Sequence, residues 1–496
     1  MRPAVQPGPA APQFALPVFS WLNAAGGSLG DDCLSLNVWT PALDGAKRPV
    51  LVWIHGGAFL IGSGATPVYH GAALARRGDA VVVTVNYRLG ALGFAHLGLL
   101  PRLAERGFRG ATNLGLRDQI AALEWVSENI DRFGGDPGNV TVFGQSAGGM
   151  SVGALLGSPR ARGLFHRAIC QSGACDHVAG TTEARETAEL FLDALGVADP
   201  SPASLGEIPL SRVLRAQRDL MVSRADLRNL MVLIPAVDGD LIPRQPLRAI
   251  AAGEAARIPI LAGSTLEEWK LFRIIDQGLG RFGESDLVER FRDVLEGLPH
   301  APRVESAVRQ YRRALDGRSA ARSPAEVWSA FQTARIFLQP AHRLCEAQAH
   351  GGGHAYHYLF TWRAPAMRRA LGACHAIEIP FVFGSTQHPV ARPLTGLSRH
   401  AGRLSRRMQH SWISFARHGR PGHERLPAWP AYEAERRPTL VLGRSCSLAE
   451  RPLHAELELL DRWLGDAPVR GAPGPRRTQS PAALKRWTES ITPTLA

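Results

Sequence analysis

Continuous apolar runs recur along the chain, as in "RPVLVWIHGG" (48–57), which ends in glycines, and "AVVVTVNYR" (80–88). A strand with one wet face alternates apolar and polar positions, so continuous runs of this length predict strands buried on both faces of a largely parallel sheet. "NVTVF" (139–143), "RAICQS" (167–172), "RIPILAGS" (257–264), "HAYHYLF" (354–360) and "PTLVLG" (438–443) predict further strands. Between them the period changes. Ile120, Leu123, Val126, Ile130 and Phe133 recur at spacings of three and four before Gly134-Gly135, which predicts an amphipathic helix over 114–133 with a glycine stop. "AGGMSVGALLG" (147–157), 402–418 and 454–464 predict further helices. Strands alternating with helices define a doubly wound α/β sheet.

Segments 178–256 and 272–345 carry helical patterns rich in Arg and Glu and predict helical insertions over the sheet, within one domain spanning 1–465. Residues 1–30 are rich in Pro, Ala and Gly and predict an irregular lead-in. From residue 466 the chain becomes "DAPVRGAPGPRRTQSPAALKRW", whose prolines and basic residues predict a disordered tail.

Composition narrows the class. Hydrophobic residues make up 45% of the 496 and charged ones 20%, a globular balance. The net charge of +13 raises nucleic acid as a partner, but of the 57 basic residues only 47, 270 and 485 are lysine, leaving 54 arginines spread throughout. A nucleic-acid footprint is clustered, so none is expected. No run of 18 uncharged apolar residues predicts a membrane span, and prolines interrupt the N-terminus where a signal peptide needs its apolar segment, so a cytoplasmic location is expected. The six cysteines, at 33, 170, 175, 345, 374 and 446, form no paired metal-binding spacing and predict reduced, mostly buried thiols.

The chemistry centres on "VTVFGQSAGGMSV" (140–152), where Gly144-Gln145-Ser146-Ala147-Gly148 fits G-x-S-x-G between a predicted strand and a predicted helix. There a serine sits on a strained turn, small neighbours permit close backbone approach, and a helix N-terminus faces developing negative charge. An oxyanion needs N–H donors, and "WIHGGAF" (53–59) offers Gly56 and Gly57, with Ala147 N–H as a third. "HGGGH" (350–354) resembles an oxyanion string too, but it follows the serine where such a loop should precede it. His354 and His357 would face opposite sides of their strand, which argues against a shared metal. Among 17 histidines, His375 in "GACHAIEIPFVFG" (372–384) sits in a small-residue loop suited to delivering an imidazole over the sheet. "GSTLEEW" (263–269) offers Glu267 or Glu268 at a C-terminal strand end, where α/β sites assemble.

These segments, with "DDCLSLNVWTP" (31–41), "NYRLGALGF" (86–94), "NLGLRDQ" (113–119), "FGGDPGNVTVFGQSAGG" (133–149), "FHRAICQSG" (165–173) and "FARHGRPG" followed by "LPAWPAY" (415–432), resemble the type-B carboxylesterases of the α/β-hydrolase fold, a family that includes para-nitrobenzyl esterases and cholinesterases. The resemblance covers about residues 3 to 464. It implies a mostly parallel central sheet with helical insertions and a serine esterase acting on small-molecule carboxylic esters through an acyl-enzyme, with no metal or organic cofactor. It implies Ser146 as nucleophile, His375 as general base, Glu268 as its carboxylate partner and Gly56, Gly57 and Ala147 as the oxyanion hole. Ser172 matches a serine behind the triad, Glu378 a carboxylate anchoring the histidine loop, and Arg88 with Asp118 an internal ion pair. Trp269 departs from the family, which has glycine after the catalytic Glu, and puts a bulky ring near the site. The same triad also serves amide, carbamate and lactone hydrolysis, and the same fold serves inactive scaffold proteins.

Family members carry strands and a "GIPYA-PP" type segment ahead of the region that "AVQPGPAAPQ" (4–13) resembles. Its apparent lack here predicts a sheet without its leading antiparallel edge, and Asp32 and Cys33 without their upstream partners.

Overall fold

The computed structural model describes residues 4–14, 28–224, 231–273, 282–296, 298, 300–315, 323–367 and 370–465. The predicted tail (466–496) and part of the predicted lead-in lie outside them.

The apolar runs form the middle of one sheet. Its strands are β1 (Leu36–Trp39), β2 (Arg48–Ile54), β3 (Val81–Val85), β4 (Gly135–Gln145), β5 (Arg167–Gln171), β6 (Ile260–Thr265), β7 (Ala355–Phe360), β8 (Thr439–Leu442) and β9 (Cys446–Ala449), in the order β1-β3-β2-β4-β5-β6-β7-β8-β9. From β3 to β8 every pairing is parallel; β1 and β9 are antiparallel edges. Side chains alternate across the sheet, so β2 sends Val50, Val52 and Ile54 into one core and Leu51 and Trp53 into the other. The first core is covered by helices that include Ala147–Leu156 and Gln339–His350, the second by Arg399–His418. Because both faces are covered, the central strands show no alternation of polarity.

The predicted helix over 114–133 is an α-helix at Leu114–Asn129 continued by a 3₁₀ turn at Ile130–Phe133. Gly134 then takes φ 75°, and its N–H closes onto Asp131 O. Helices Thr181–Leu195, Leu210–Arg224 and Pro246–Ala251 lie between β5 and β6. Glu284–Leu295, Val304–Ala314, Pro324–Thr333 and Gln339–His350 lie between β6 and β7. No helix of the described residues is long and apolar enough to cross a membrane.

One expectation at the leading edge is corrected. An antiparallel edge is present, because Leu36–Trp39 pairs with β3 in the register Leu36 to Val85. Asp32 has an interaction partner, and Cys33 is a buried free thiol. Residues 4–14 are irregular, as predicted, but pinned: buried Gln13 donates to Gly62 O at 2.9 Å and accepts from Gly62 N at 2.7 Å. Asn86 also donates to Pro9 O at 3.0 Å. The Arg88–Asp118 pair is bidentate, at 2.6 and 2.8 Å, with Arg88 N–H adding a third bond at 2.9 Å.

Candidate active site

Ser146 follows β4 and opens the helix Ala147–Leu156 with φ 56° and ψ −127°, a backbone region that side chains rarely adopt. Its surroundings hold it there. Ser146 N–H donates to Gln171 O at 2.9 Å, and Ser146 O accepts from Met150 N at 2.9 Å. A Cβ on Gly144 would run into the Gly148 backbone, one on Gly148 into Ile54 O, and one on Gly173 into Ser146 O. Glycine at these three positions is a condition of the turn.

The loop after β2 comes up against the serine from the other side. At Gly56 a Cβ would stand 2.6 Å from Gln145 O and 3.0 Å from Ser146 Cβ. Gly57, Ala58 and Phe59 then take φ of 116°, 55° and 62° in succession. Leu60 N and Ile61 N donating to Gly57 O, and Gly90 N donating to Phe59 O, hold that strained run. Two residues unremarked in the sequence brace it. His55 Nδ1 lies 2.8 Å from Gly56 O, and Tyr87 OH donates to His55 O at 2.8 Å while its ring stacks on the imidazole. A carbonyl can only accept, so Nδ1 carries the proton; burial pushes the His55 imidazole down to about 4, which keeps it neutral. With Gly56 O held on that side, the trans peptide turns Gly57 N–H to the opposite one. Among the described residues no hydrogen bond uses the N–H of Gly56, Gly57 or Ala147.

Of the two adjacent carboxylates, Glu268 faces His375. Its Oε2 lies 2.6 Å from His375 Nδ1, and its Oε1 accepts Thr265 N–H at 2.6 Å. Glu267 instead accepts Ala373 N–H at 2.9 Å. Since Nδ1 donates to Glu268, Nε2 bears the lone pair. Among the described residues Ser146 makes no hydrogen bond to His375; the amide nitrogen of Gln145, a residue the motif left as "x", lies 3.2 Å from Nε2.

Phe272 and Phe337, stacked on each other at 6.1 Å, lie to one side of the imidazole at 5.1 and 4.9 Å between ring centroids. Phe337 comes from a π-turn at Ala334–Leu338, far along the insertion, and no sequence signal marks it. Trp269 is buried one ring further out, against Phe272 at 5.0 Å, with its main-chain N–H donating to Thr333 Oγ1 at 3.1 Å.

Ser172 lies at the end of β5 behind the turn, with φ 46°, and its Oγ has no hydrogen-bond partner among the described residues. Glu378 Oε1 accepts from Gln171 Nε2 at 3.3 Å, and Trp412 Nε1 donates to Gln171 Oε1 at 2.9 Å. Burial, and then the charge of Glu268, push the Glu378 carboxyl up to about 8. His354 is exposed, whereas His357 is buried against His342.

The parallel sheet, the glycine-walled turn after β4 and the carboxylate and imidazole brought beyond β6 and β7 together define an α/β-hydrolase. The chain belongs to the carboxylesterase family, whose model matches residues 1–459, and it is a carboxylic ester hydrolase. It is 37% identical over 424 residues to the para-nitrobenzyl esterase of Bacillus subtilis (strain 168), covering 85% of this chain and 81% of that protein. It is 35% identical over 452 residues to the phenmedipham hydrolase of Pseudarthrobacter oxydans, covering 89% and 85%. The crystal structure of a Geobacillus stearothermophilus carboxylesterase superposes with a TM-score of 0.79 at 38% identity, covering 91% of this chain and 88% of that one.

Proposed function

We propose that this esterase works through an acyl-enzyme on Ser146. Ser146 Oγ attacks the ester carbonyl carbon as His375 Nε2 takes its proton, and the carbonyl oxygen becomes an oxyanion held by the N–H groups of Gly56, Gly57 and Ala147. Collapse breaks the bond to the alcohol oxygen, which leaves with the proton from His375. Water then attacks the acyl-enzyme with His375 again as base, releasing the carboxylic acid and restoring Ser146. Glu268 holds the proton on Nδ1, so that Nε2 is the basic nitrogen throughout. The observation that carries this reading is the buried Glu268–His375 contact of 2.6 Å beside a serine on a strained turn. Active-site hydrogen bonds are often loose before substrate binds, and in this reading the Gln145 amide gives up Nε2 to the serine hydroxyl.

The ester's apolar portion lies against Phe272 and Phe337, whose stacked rings stand beside the base and offer an apolar wall. A fluorophosphonate probe tests the nucleophile: covalent label on Ser146 with loss of esterase activity is expected, and label elsewhere or none would refute it. A panel of esters should favour aryl or medium-length acyl groups over acetyl esters of small alcohols, and Phe337→Ala should reduce that preference.

A further inference from the structure

Glu267 stands beside Glu268 in the sequence, yet its side chain serves a different group. Its main-chain N–H donates to Ala373 O at 2.9 Å, and its Oε2 accepts Ala373 N–H at 2.9 Å. Both polar groups of the Ala373 backbone are therefore taken by one residue. Gly372, with φ 55°, curls the chain around that carboxylate so closely that a Cβ there would run into it. Two residues on, His375 N–H donates to Glu268 O at 3.3 Å. The segment that delivers the imidazole is thus joined to residues 267–268 by three hydrogen bonds, and Glu267 makes two of them.

The carboxylate is also closely paired. Lys270 Nζ lies 2.8 Å from Glu267 Oε1 and 3.3 Å from Glu326 Oε2, and Arg363 Nε lies 3.3 Å from Glu267 Oε2. Arg273 pairs with Glu326 in turn. Glu267 and Lys270 are only 11% and 15% exposed, so water screens that pair weakly, whereas Arg363 is 54% exposed and its pair with Glu267 is screened more. Lys270 is one of three lysines among 57 basic residues; Lys47 is exposed, and residue 485 lies outside the described residues. A chain that otherwise uses arginine keeps a lysine at this enclosed point. The chemistry supplies a reason: a compact ammonium can sit between two carboxylates where a planar guanidinium, with its fixed fork, needs more room.

We propose that Glu267, clamped by Lys270 and Arg363, is a positioning residue that sets the 372–375 segment and so the aim of the His375 imidazole. The inference rests on the reading of His375 as the general base. A base misplaced by about 1 Å can cost as much as 10²-fold in rate, so a clamp two residues from the imidazole has leverage on turnover without touching substrate.

The test uses the full chain, with active sites counted by fluorophosphonate titration and turnover of a p-nitrophenyl ester expressed per titrated site. Glu267→Ala should lower kcat on the order of tenfold or more with KM within about twofold, because the loss falls on the aim of the base and not on substrate binding. Glu267→Gln, which keeps an acceptor for Ala373 N–H but loses both ion pairs, should fall between Glu267→Ala and wild type. Lys270→Arg should fail to match wild-type kcat, since the fork cannot replace the ammonium. If Glu267→Ala does not fold, Glu267→Gln and Lys270→Met carry the same comparison. A kcat per titrated site within twofold of wild type in all the folded variants, with only thermal stability reduced, would reduce the cluster to a scaffold ion pair and overturn the proposal. Failure of the wild type to label would instead remove the Ser146 mechanism itself, and this inference with it.

Discussion

Glu268 Oε2 accepts from His375 Nδ1 at 2.6 Å, with the carboxylate fully buried and the imidazole 6% exposed. Replacing this acceptor by an amide that can present its N–H permits the opposite tautomer, in which Nε2 carries the proton and cannot accept one. Glu268→Gln should therefore lower kcat on the order of 10² to 10⁴-fold with little change in KM, and far more than Glu267→Gln does. Steady-state kinetics on the two variants decide the ranking, and the reverse order would move the acid by one residue.

Ser146→Ala should abolish ester turnover while leaving the circular dichroism spectrum and thermal midpoint close to wild type, because among the described residues the hydroxyl makes no capping hydrogen bond to the helix that it opens. Turnover near the wild-type rate would rule out this serine as nucleophile. His375→Ala should be about as severe, and the double variant no worse, since groups that act as a unit do not lose activity additively.

Gly57→Ala should destabilise as well as inactivate. The position has φ 116°, and the added methyl would run into Ile61 O. Strain of this kind costs on the order of 1–3 kcal/mol, and relieving it must shift the 56–61 loop that stands against Ser146. A lowered half-inactivation temperature together with a loss of kcat is expected; an unchanged kcat would remove Gly57 from the oxyanion hole.

Stability should fall as pH drops from 7 toward 4.5. Burial lowers His55 and His96 to about 4 and His357 to about 3. Below the unfolded value near 6.5 the unfolded chain binds protons that the folded one refuses, so the unfolded state holds more protons and stability declines with falling pH, by at most roughly 1.4 kcal/mol per histidine per pH unit. Urea midpoints across this range measure it, and a flat profile would contradict the buried neutral imidazoles.

Glu378 titrates with the opposite sign. Raised to about 8 by burial and by the charge of Glu268, it keeps its proton in the folded state while the unfolded chain has lost it. Its contribution is full below the unfolded carboxyl range and declines as pH rises toward 8. Glu378→Gln, which keeps the shape without the titration, should lose less stability than wild type between pH 6 and pH 8. An equal loss in both proteins would show that this carboxyl does not hold its proton.

The central strands, the turn at Ser146 and the family were legible in the chain itself. Each rests on local chemistry: continuous apolar runs for strands buried on both faces, glycines at close backbone approaches, and a serine between a strand and a helix. The edge strands Leu36–Trp39 and Cys446–Ala449 were not, because four partly exposed residues leave no apolar run to read, and their pairing depends on a neighbouring strand already in place. The same holds within the site. Periodicity and motif stop at "Glu-Glu", and only the path of the 372–375 segment decides that Glu268 meets the imidazole while Glu267 meets the Ala373 backbone. Phe337, His55 and Gln145 gain their positions against the His375 ring, Gly56 O and His375 Nε2 only once strands distant in sequence are packed side by side. A sequence records which groups are available and the local backbone they favour. Which of them touch is settled by long-range packing, because contacts between elements far apart in the chain depend on the whole sheet having closed.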